Sequence, residues 1–295
     1  MYGGGITDVN GILVGHAQDM DALTGVTVIR CDVGAVASVD VRGGAPGTRE
    51  LALLSPECTV DRIHTVVFCG GSAYGLDACG GVMAALEERG VGLRVMPGVI
   101  VPIVAGAVLF DLGVGRSDIR PDARMGRAAV ESAATRFMRG MVGVGTGATV
   151  GKLSDAPTRG GIGGASIILE NGVTVGAIAA VNAAGNIYDY RTNKLIAGGA
   201  AFTQSYGMEK TLTGQNTTLV AVATNASLTK AQCRRVAMSA HDGMALAIRP
   251  AHTIVDGDTA FALATCETGG EPPMIAICSA AAEVVAMAIV NAVMA

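Results

Sequence analysis

Apolar residues in this chain fall into short β-branched runs, separated by Gly-rich turns and by longer Ala-rich stretches. The runs at 12–14, 25–30, 35–41, 64–69, 165–169, 173–181, 217–224, 259–264 and 274–278 have the length and composition of strands. Thr217-Thr218-Leu219-Val220-Ala221-Val222-Ala223-Thr224 is apolar nearly throughout and reads as a buried strand. Helices are predicted between these runs. One covers 74–89, after Ser72 as a cap and up to Gly90; a second covers 124–138, with small and apolar residues on one side and Arg on the other. Further helices are predicted over 200–210, over 230–248 behind Ser227 and Thr229 and ahead of Pro250, and over 279–294. Strands interleaved with helices predict one α/β domain over residues 1–295, with mixed sheets flanked by helices. The polar loop 206–216, carrying Gly207 and Gly214, is its best internal boundary.

Composition refines this picture. Half of the 295 residues are hydrophobic, but aromatics make up 3%, Trp is absent and there are 42 Gly. The core is therefore built from Val, Ile, Ala, Leu and Met, with backbones packed closely. The tail 274–295 is apolar and long enough to span a membrane. Cys278, Ser279, Glu283, Asn291 and its high Ala content argue instead for a buried terminal element, a strand over 274–278 followed by a helix, because an intramembrane Glu is costly. A net charge of −4 without a basic run argues against nucleic acid as a partner. Seven dispersed Cys without a C-x-x-C pair fit reduced thiols in a cytoplasmic protein. Residues 1–8 show neither the basic nor the apolar region of a signal peptide.

Gly-rich segments invite a phosphate-loop reading. The nearest is Gly147-Ala148-Thr149-Val150-Gly151-Lys152-Leu153. There Thr146 stands where the first Gly of a Walker loop belongs and Leu153 where its Ser or Thr should hold Mg²⁺. Gly70-Gly71-Ser72-Ala73-Tyr74 misses G-x-S-x-G because Tyr74 replaces the last Gly. Tight turns and close backbone packing explain these segments better. The four His, at 16, 64, 241 and 252, form no H-x-x-x-H pair, so a structural role is expected and no metal.

The informative chemistry lies at Asn216-Thr217. A polar Gly214-Gln215-Asn216 lead-in runs into a core strand whose first residue carries a hydroxyl. If the Asn216–Thr217 bond breaks, Thr217 gains an α-amine that titrates near pH ~7.7–8.0 and can act as base for its own hydroxyl. Such a nucleophile needs acceptors, a cation and an oxyanion donor around it. Asp256 and Asp258 flank Gly257 just before the apolar run Phe261-Ala262-Leu263-Ala264, and they suit the acceptor role. Lys152 closes the strand-like stretch 141–151, which holds no other charge, and can favour deprotonation of the hydroxyl. Asn182 ends the apolar run 173–181 and offers an oxyanion amide, whose loss would cost on the order of 10²–10³ in rate. Each also has a plainer reading, as a solvated turn, a surface Lys or a strand cap.

Together these residues resemble the DmpA-type family of L-aminopeptidase/D-amidase/esterases and β-aminopeptidases, which includes the nylon-oligomer hydrolases. The resemblance runs through Val39-Asp40-Val41-Arg42-Gly43-Gly44, Gly70-Gly71-Ser72-Ala73-Tyr74-Gly75-Leu76, Gly151-Lys152, Asn182, Asn216-Thr217-Thr218 and His252-Thr253…Asp256-Gly257-Asp258-Thr259. It implies a four-layer αββα sandwich of the DmpA/ornithine-acetyltransferase type and cleavage into a 1–216 α-chain and a 217–295 β-chain. It also implies oligomers, most simply tetramers, of the processed αβ unit. Thr217 then looks like the N-terminal nucleophile, Asn182 like the oxyanion donor, and Lys152, Asp256 and Asp258 like the network around them. Thr at 217 with paired Asp is similar to the nylon-oligomer branch. Where relatives carry a Tyr, this chain has Phe110, so a hydroxyl at the substrate site is missing.

The expected activity is that of a self-processing aminopeptidase acting on a small peptide or amide through an acyl-enzyme, without a cofactor and without a membrane. The alternatives are a nylon-type ω-amino-acid oligomer amidase and an acyltransferase like the ornithine acetyltransferases, whose Ala-Thr-Met-Leu cleavage motif this chain lacks. A catalytically dead assembly protein would leave the co-occurrence of Thr217, Lys152 and both Asp without a reason.

Overall fold

The computed structural model describes residues 1–154, 156–199 and 215–295. The helix expected over 200–210 and most of the loop 206–216 lie outside the described residues. Nine strands form the main sheet: β1 (Leu13–Asp19), β2 (Thr24–Val41), β3 (Thr48–Arg49), β4 (Arg62–Cys69), β5 (Val104–Val108), β6 (Gly161–Ile168), β7 (Thr174–Asn182), β8 (Thr217–Ala226) and β9 (Thr259–Thr268). Their order is β6-β7-β8-β9-β2-β4-β5-β3, with β1 also paired to β2. β8–β9 and β4–β5 are parallel, and the other pairs are antiparallel. The runs 25–30 and 35–41 are one strand. Its pairing with β4 shifts register between Arg30 and Ala35. Its first part pairs with β1, its last part with β9, so β2 passes from one half of the sheet to the other.

The two halves stack, and helices cover both outer faces. Successive side chains of a strand point to opposite faces, and the buried residues separate accordingly into three clusters. Val220, Val222, Ala260 and Ala262 pack with Val236, Met244, Val285 and Ile289 of α3 (Lys230–Ala247) and α4 (Met274–Met294). Leu219, Ala221, Phe261 and Leu263 point the other way and meet Ile29, Val66 and Phe68 between the sheets. On the far side Val26, Val28, Val67 and Cys69 meet Val82, Leu86, Ala129 and Val130 of α1 (Ala78–Glu88) and α2 (Ala123–Glu131). Three apolar interfaces between four layers make the αββα sandwich. Central strands buried on both faces read as continuous apolar runs, as 217–224 does. Small residues set the spacing: a Cβ on Gly163 would stand 2.0 Å from the Ala288 carbonyl oxygen of α4.

Three local expectations are corrected. Residues 274–278 are not a strand, because α4 starts at Met274 directly behind Pro273. Pro is compatible with a helix start, and the Ala-rich segment that follows favours helix over strand. The helix expected over 124–138 ends at Glu131, and its Asp122 cap accepts from the Met125 N–H. Residues 141–151 form a 3₁₀ turn, Gly143–Gly145, and the two-residue strand Thr149–Val150 instead of one strand. α4 is long and apolar enough to cross a membrane, but 61% of its most apolar window is buried inside the fold. Its Asn291 accepts from the Tyr2 N–H and donates to the Gly164 carbonyl, and its Glu283 pairs with Arg191.

Candidate active site

β8 delivers Thr217 to the edge of the core. Thr217 lies opposite Asn182 in the β7–β8 register, and Asn216 forms a parallel bridge with Asp256. Strand pairing thus carries three distant sequence segments to one point. Thr217 is buried, and its Oγ1 lies 2.5 Å from the Asn216 carbonyl oxygen. That oxygen also accepts the Gly257 N–H at 2.8 Å.

On one side of the bond is the turn holding Asp256 and Asp258, which are 2% and 1% exposed. Asp258 accepts the Thr218 N–H at 2.7 Å with Oδ1; its Oδ2 takes the His252 N–H at 3.0 Å and lies 2.8 Å from His252 Nδ1. Asp256 Oδ2 accepts the Thr253 N–H and hydroxyl at 2.9 and 2.5 Å. Burial first, and the Asp258 charge second, raise the Asp256 pKa. Burial disfavours the His252 cation, but the hydrogen bond and charge of Asp258 outweigh it, and the His252 pKa is raised. The backbone at Gly43 runs close by. A Cβ there would stand 2.3 Å from the Asp256 carbonyl oxygen, so this Gly serves close packing and not phosphate binding.

On the other side Lys152 Nζ donates to the Asn182 side-chain oxygen at 2.8 Å, the Asn182 carbonyl at 3.1 Å and the Gln215 carbonyl at 2.8 Å. Desolvation lowers its pKa to about 7, against the opposing charges of Asp256 and Asp111. The fully buried Asn182 accepts the Thr149 N–H with Oδ1, and its Nδ2 donates to the Phe110 and Gln215 carbonyls at 3.0 and 3.3 Å. A cavity of about 540 Å³ opens here, lined by Phe110, Gly113, Val114, Thr149, Lys152, Pro157 and Gln215.

All the site residues expected from sequence converge on this point: Thr217, Asn182, Lys152, Asp256 and Asp258 around the bond, Phe110 at the cavity. His252, read from sequence as structural, hydrogen-bonds Asp258. Its signal was present, since it stands six positions ahead of Asp258, but spacing alone does not show a left-handed backbone (φ 57°) that brings both its N–H and its ring to one carboxylate oxygen. Asp111 was also missed; it lies three residues past the end of β5, accepts the Thr24 hydroxyl and the Gly71 N–H, both at 2.7 Å, and its charge opposes the loss of the Lys152 proton. Among the described residues no cluster of three or more His, Cys, Asp or Glu is placed to hold a metal ion.

Residues 4–295 match the profile of peptidase family S58. An uncharacterized aminopeptidase of Mycobacterium tuberculosis (strain ATCC 25618 / H37Rv) is 46% identical over 286 residues, covering 88% of this chain and 81% of the relative. A 6-aminohexanoate-oligomer endohydrolase of Kocuria sp. (strain KY2) is 32% identical over 276 residues, covering 88% and 74%. Among solved structures, a β-aminopeptidase from Burkholderia sp. superposes with a TM-score of 0.71 at 25% identity, over 99% of this chain and 88% of that one. The L-aminopeptidase D-Ala-esterase/amidase of Ochrobactrum anthropi, described as a variant of the Ntn-hydrolase fold, superposes with a TM-score of 0.76 at 20% identity, over 98% and 85%. The chain belongs to peptidase family S58 and is a hydrolase of peptide or amide bonds.

Proposed function

We propose that the protein cuts itself between Asn216 and Thr217 and then works as an aminopeptidase with Thr217 as nucleophile. The observation that carries this reading is the placement of the Thr217 hydroxyl 2.5 Å from the Asn216 carbonyl oxygen, within a ring of Asp256, Asp258, Asn182 and Lys152. In the cut protein the Thr217 α-amine takes the hydroxyl proton, Oγ1 attacks a substrate carbonyl, and an acyl-enzyme forms and is hydrolysed by water. Asp258, next to Gly257 and bonded to the Thr218 N–H, holds the start of β8 so that the amine and hydroxyl face the same space. Asn182 and Lys152 already grip a carbonyl, that of Gln215, and would grip the substrate's once that segment moves away.

The relatives named aminopeptidases, at 46% identity, support aminopeptidase over endohydrolase activity. All seven cysteines are free, which supports a reducing compartment such as the cytoplasm. The mature protein is read as an oligomer of paired chains, with size to be measured by light scattering.

Intact-mass measurement on purified protein tests the reading. Two species, ending at Asn216 and beginning at Thr217, are expected; a single uncut chain after days would overturn it. Thr217→Ala should abolish both cutting and peptide hydrolysis, a loss on the order of 10⁶ as for other nucleophile deletions. Cutting at the same bond by Thr217→Ala would remove Thr217 from the nucleophile's role.

A further inference from the structure

Two consecutive carbonyl oxygens precede Thr217, and they are held by different groups. The Gln215 oxygen takes the Lys152 ammonium at 2.8 Å and the Asn182 amide at 3.3 Å. The Asn216 oxygen belongs to the bond to be cut, and it takes the Gly257 N–H at 2.8 Å. We propose that self-cleavage and substrate hydrolysis use separate oxyanion donors: the Gly257 N–H serves the cut, and Asn182 with Lys152 serves substrate afterwards. This rests on Thr217 being the nucleophile in both steps.

The Gly257 amide is fixed before any reaction begins. The Asn216–Asp256 bridge sets its register against the scissile bond. The Ala45 N–H holds the Asp256 carbonyl at 2.8 Å, the Arg42 N–H holds the Asp258 carbonyl at 3.1 Å, and both Asp side chains are tied to backbone amides. A donor that needs no reorganisation as charge develops is the kind that lowers a barrier most. A side chain at 257 would place its Cβ 2.7 Å from Thr217 Oγ1, so Gly leaves the hydroxyl room to move.

In the step itself Thr217 Oγ1 forms a bond to the Asn216 carbonyl carbon, and the C=O π pair moves onto the oxygen, where the Gly257 N–H meets it. Collapse breaks the C–N bond, and the hydroxyl proton ends on the Thr217 nitrogen. The resulting ester, whose α-amine is already free, is hydrolysed by water, which leaves the Asn216 carboxylate and restores the Thr217 hydroxyl. Only when residues 215–216 withdraw do Lys152 and Asn182 lose the Gln215 carbonyl and become available to a substrate.

Replacing residue 257 by glycolic acid turns its N–H into an ester oxygen and tests the amide alone. The control is the α-hydroxy analogue of valine at 220, which removes one amide from the middle of β8. Cutting is followed by intact mass after purification, with a thermal melt for each protein. The 257 ester is expected to cut roughly 10²–10³-fold more slowly, and the 220 ester to stay within tenfold of the unmodified chain. Wild-type cutting by the 257 ester, equal slowing of both esters, or loss of folding by the 257 ester alone would each overturn the proposal and leave Thr217 as nucleophile untouched. Cutting by Thr217→Ala would instead remove the parent reading.

Discussion

The two sides of the Asn216–Thr217 bond are built differently. On the Asp256–Asp258 side the carboxylates are almost fully buried, and backbone N–H groups and His252 occupy their oxygens. On the Lys152–Asn182 side an ammonium and a buried amide hold the chain's own Gln215 carbonyl, and Lys152 and Gln215 line a cavity of about 540 Å³. The first side is dry and tied to strand register, so its geometry is set by the fold. The second opens outward, and its partner carbonyl can be exchanged. Under the proposal above, the first side makes the nucleophile and the second receives substrate. This division explains how one constellation can act first on its own chain and then on other molecules.

Asp258→Asn gives the harshest test of the dry side. Asn offers one acceptor oxygen where Asp258 uses two, so either the Thr218 N–H or the His252 pair faces an NH₂ group. Leaving a buried hydrogen-bonding group unsatisfied costs about 1–3 kcal/mol, and more beside a charged group. Urea unfolding of the uncut Thr217→Ala protein, with and without Asp258→Asn, measures it, and a loss below about 1 kcal/mol would show that this side is not the rigid one. Next in size is Asn182→Ala on the open side. It should lower kcat for peptide hydrolysis roughly 10²–10³-fold, the usual effect of one oxyanion donor; an effect on KM alone would make Asn182 a binding group only.

Much of this contrast was legible in the sequence, and the reasons are physical. Thr217, Asn182 and Asp258 stand at or next to the ends of buried strands, where a polar side chain can be enclosed without breaking the core, and Asp256 and Lys152 lie in turns beside them. Apolar runs such as 217–224 predict mixed sheets flanked by helices, while the four-layer sandwich is implied by the family resemblance and not by the runs themselves. What stayed hidden depends on backbone conformation. The Gly257 N–H carries no side-chain signature, and His252 reaches Asp258 only through a positive φ. The tail misled at 274–278 because its short apolar run after two Pro reads as a strand, whereas Pro273 is compatible with a helix start and the Ala-rich segment behind it carries the helix back to Met274. The cavity likewise mixes residues from 110–114, 149–157 and 215, which no local pattern joins.

A subtler distinction concerns Lys152, the charge on the open side. Its pKa is lowered to about 7 in the fold, against ~10.4 for a free lysine. Between those values the unfolded chain binds a proton that the folded chain lacks, so this residue makes stability rise with pH across that window. Below about 7 the folded ammonium is protonated too, and the slope from this residue vanishes. The uncut Thr217→Ala protein should therefore gain urea resistance from pH 7 to pH 9, and adding Lys152→Met should reduce that gain. Equal gains in the two proteins would mean that the ammonium is hydrated and the open side is wetter than its carbonyl cage suggests.

The smallest effect is expected at Phe110, whose carbonyl helps hold Asn182 while its ring lines the cavity. Phe110→Tyr keeps that backbone contact and adds one hydroxyl where substrate enters. A hydrogen bond gained there is worth about 0.5–1.5 kcal/mol, or roughly 2–10-fold in kcat/KM, for amides with a polar group within its reach. Purely apolar substrates should change little, and the rate of self-cutting should not change, because the ring faces the side of the site used after the cut. A steady-state comparison on polar and apolar amides, run beside a self-cleavage time course, separates these outcomes. A change in cutting as large as the change in hydrolysis would mean that the two sides are coupled through the Phe110–Asn182 hydrogen bond, and the division of labour between them would have to be redrawn.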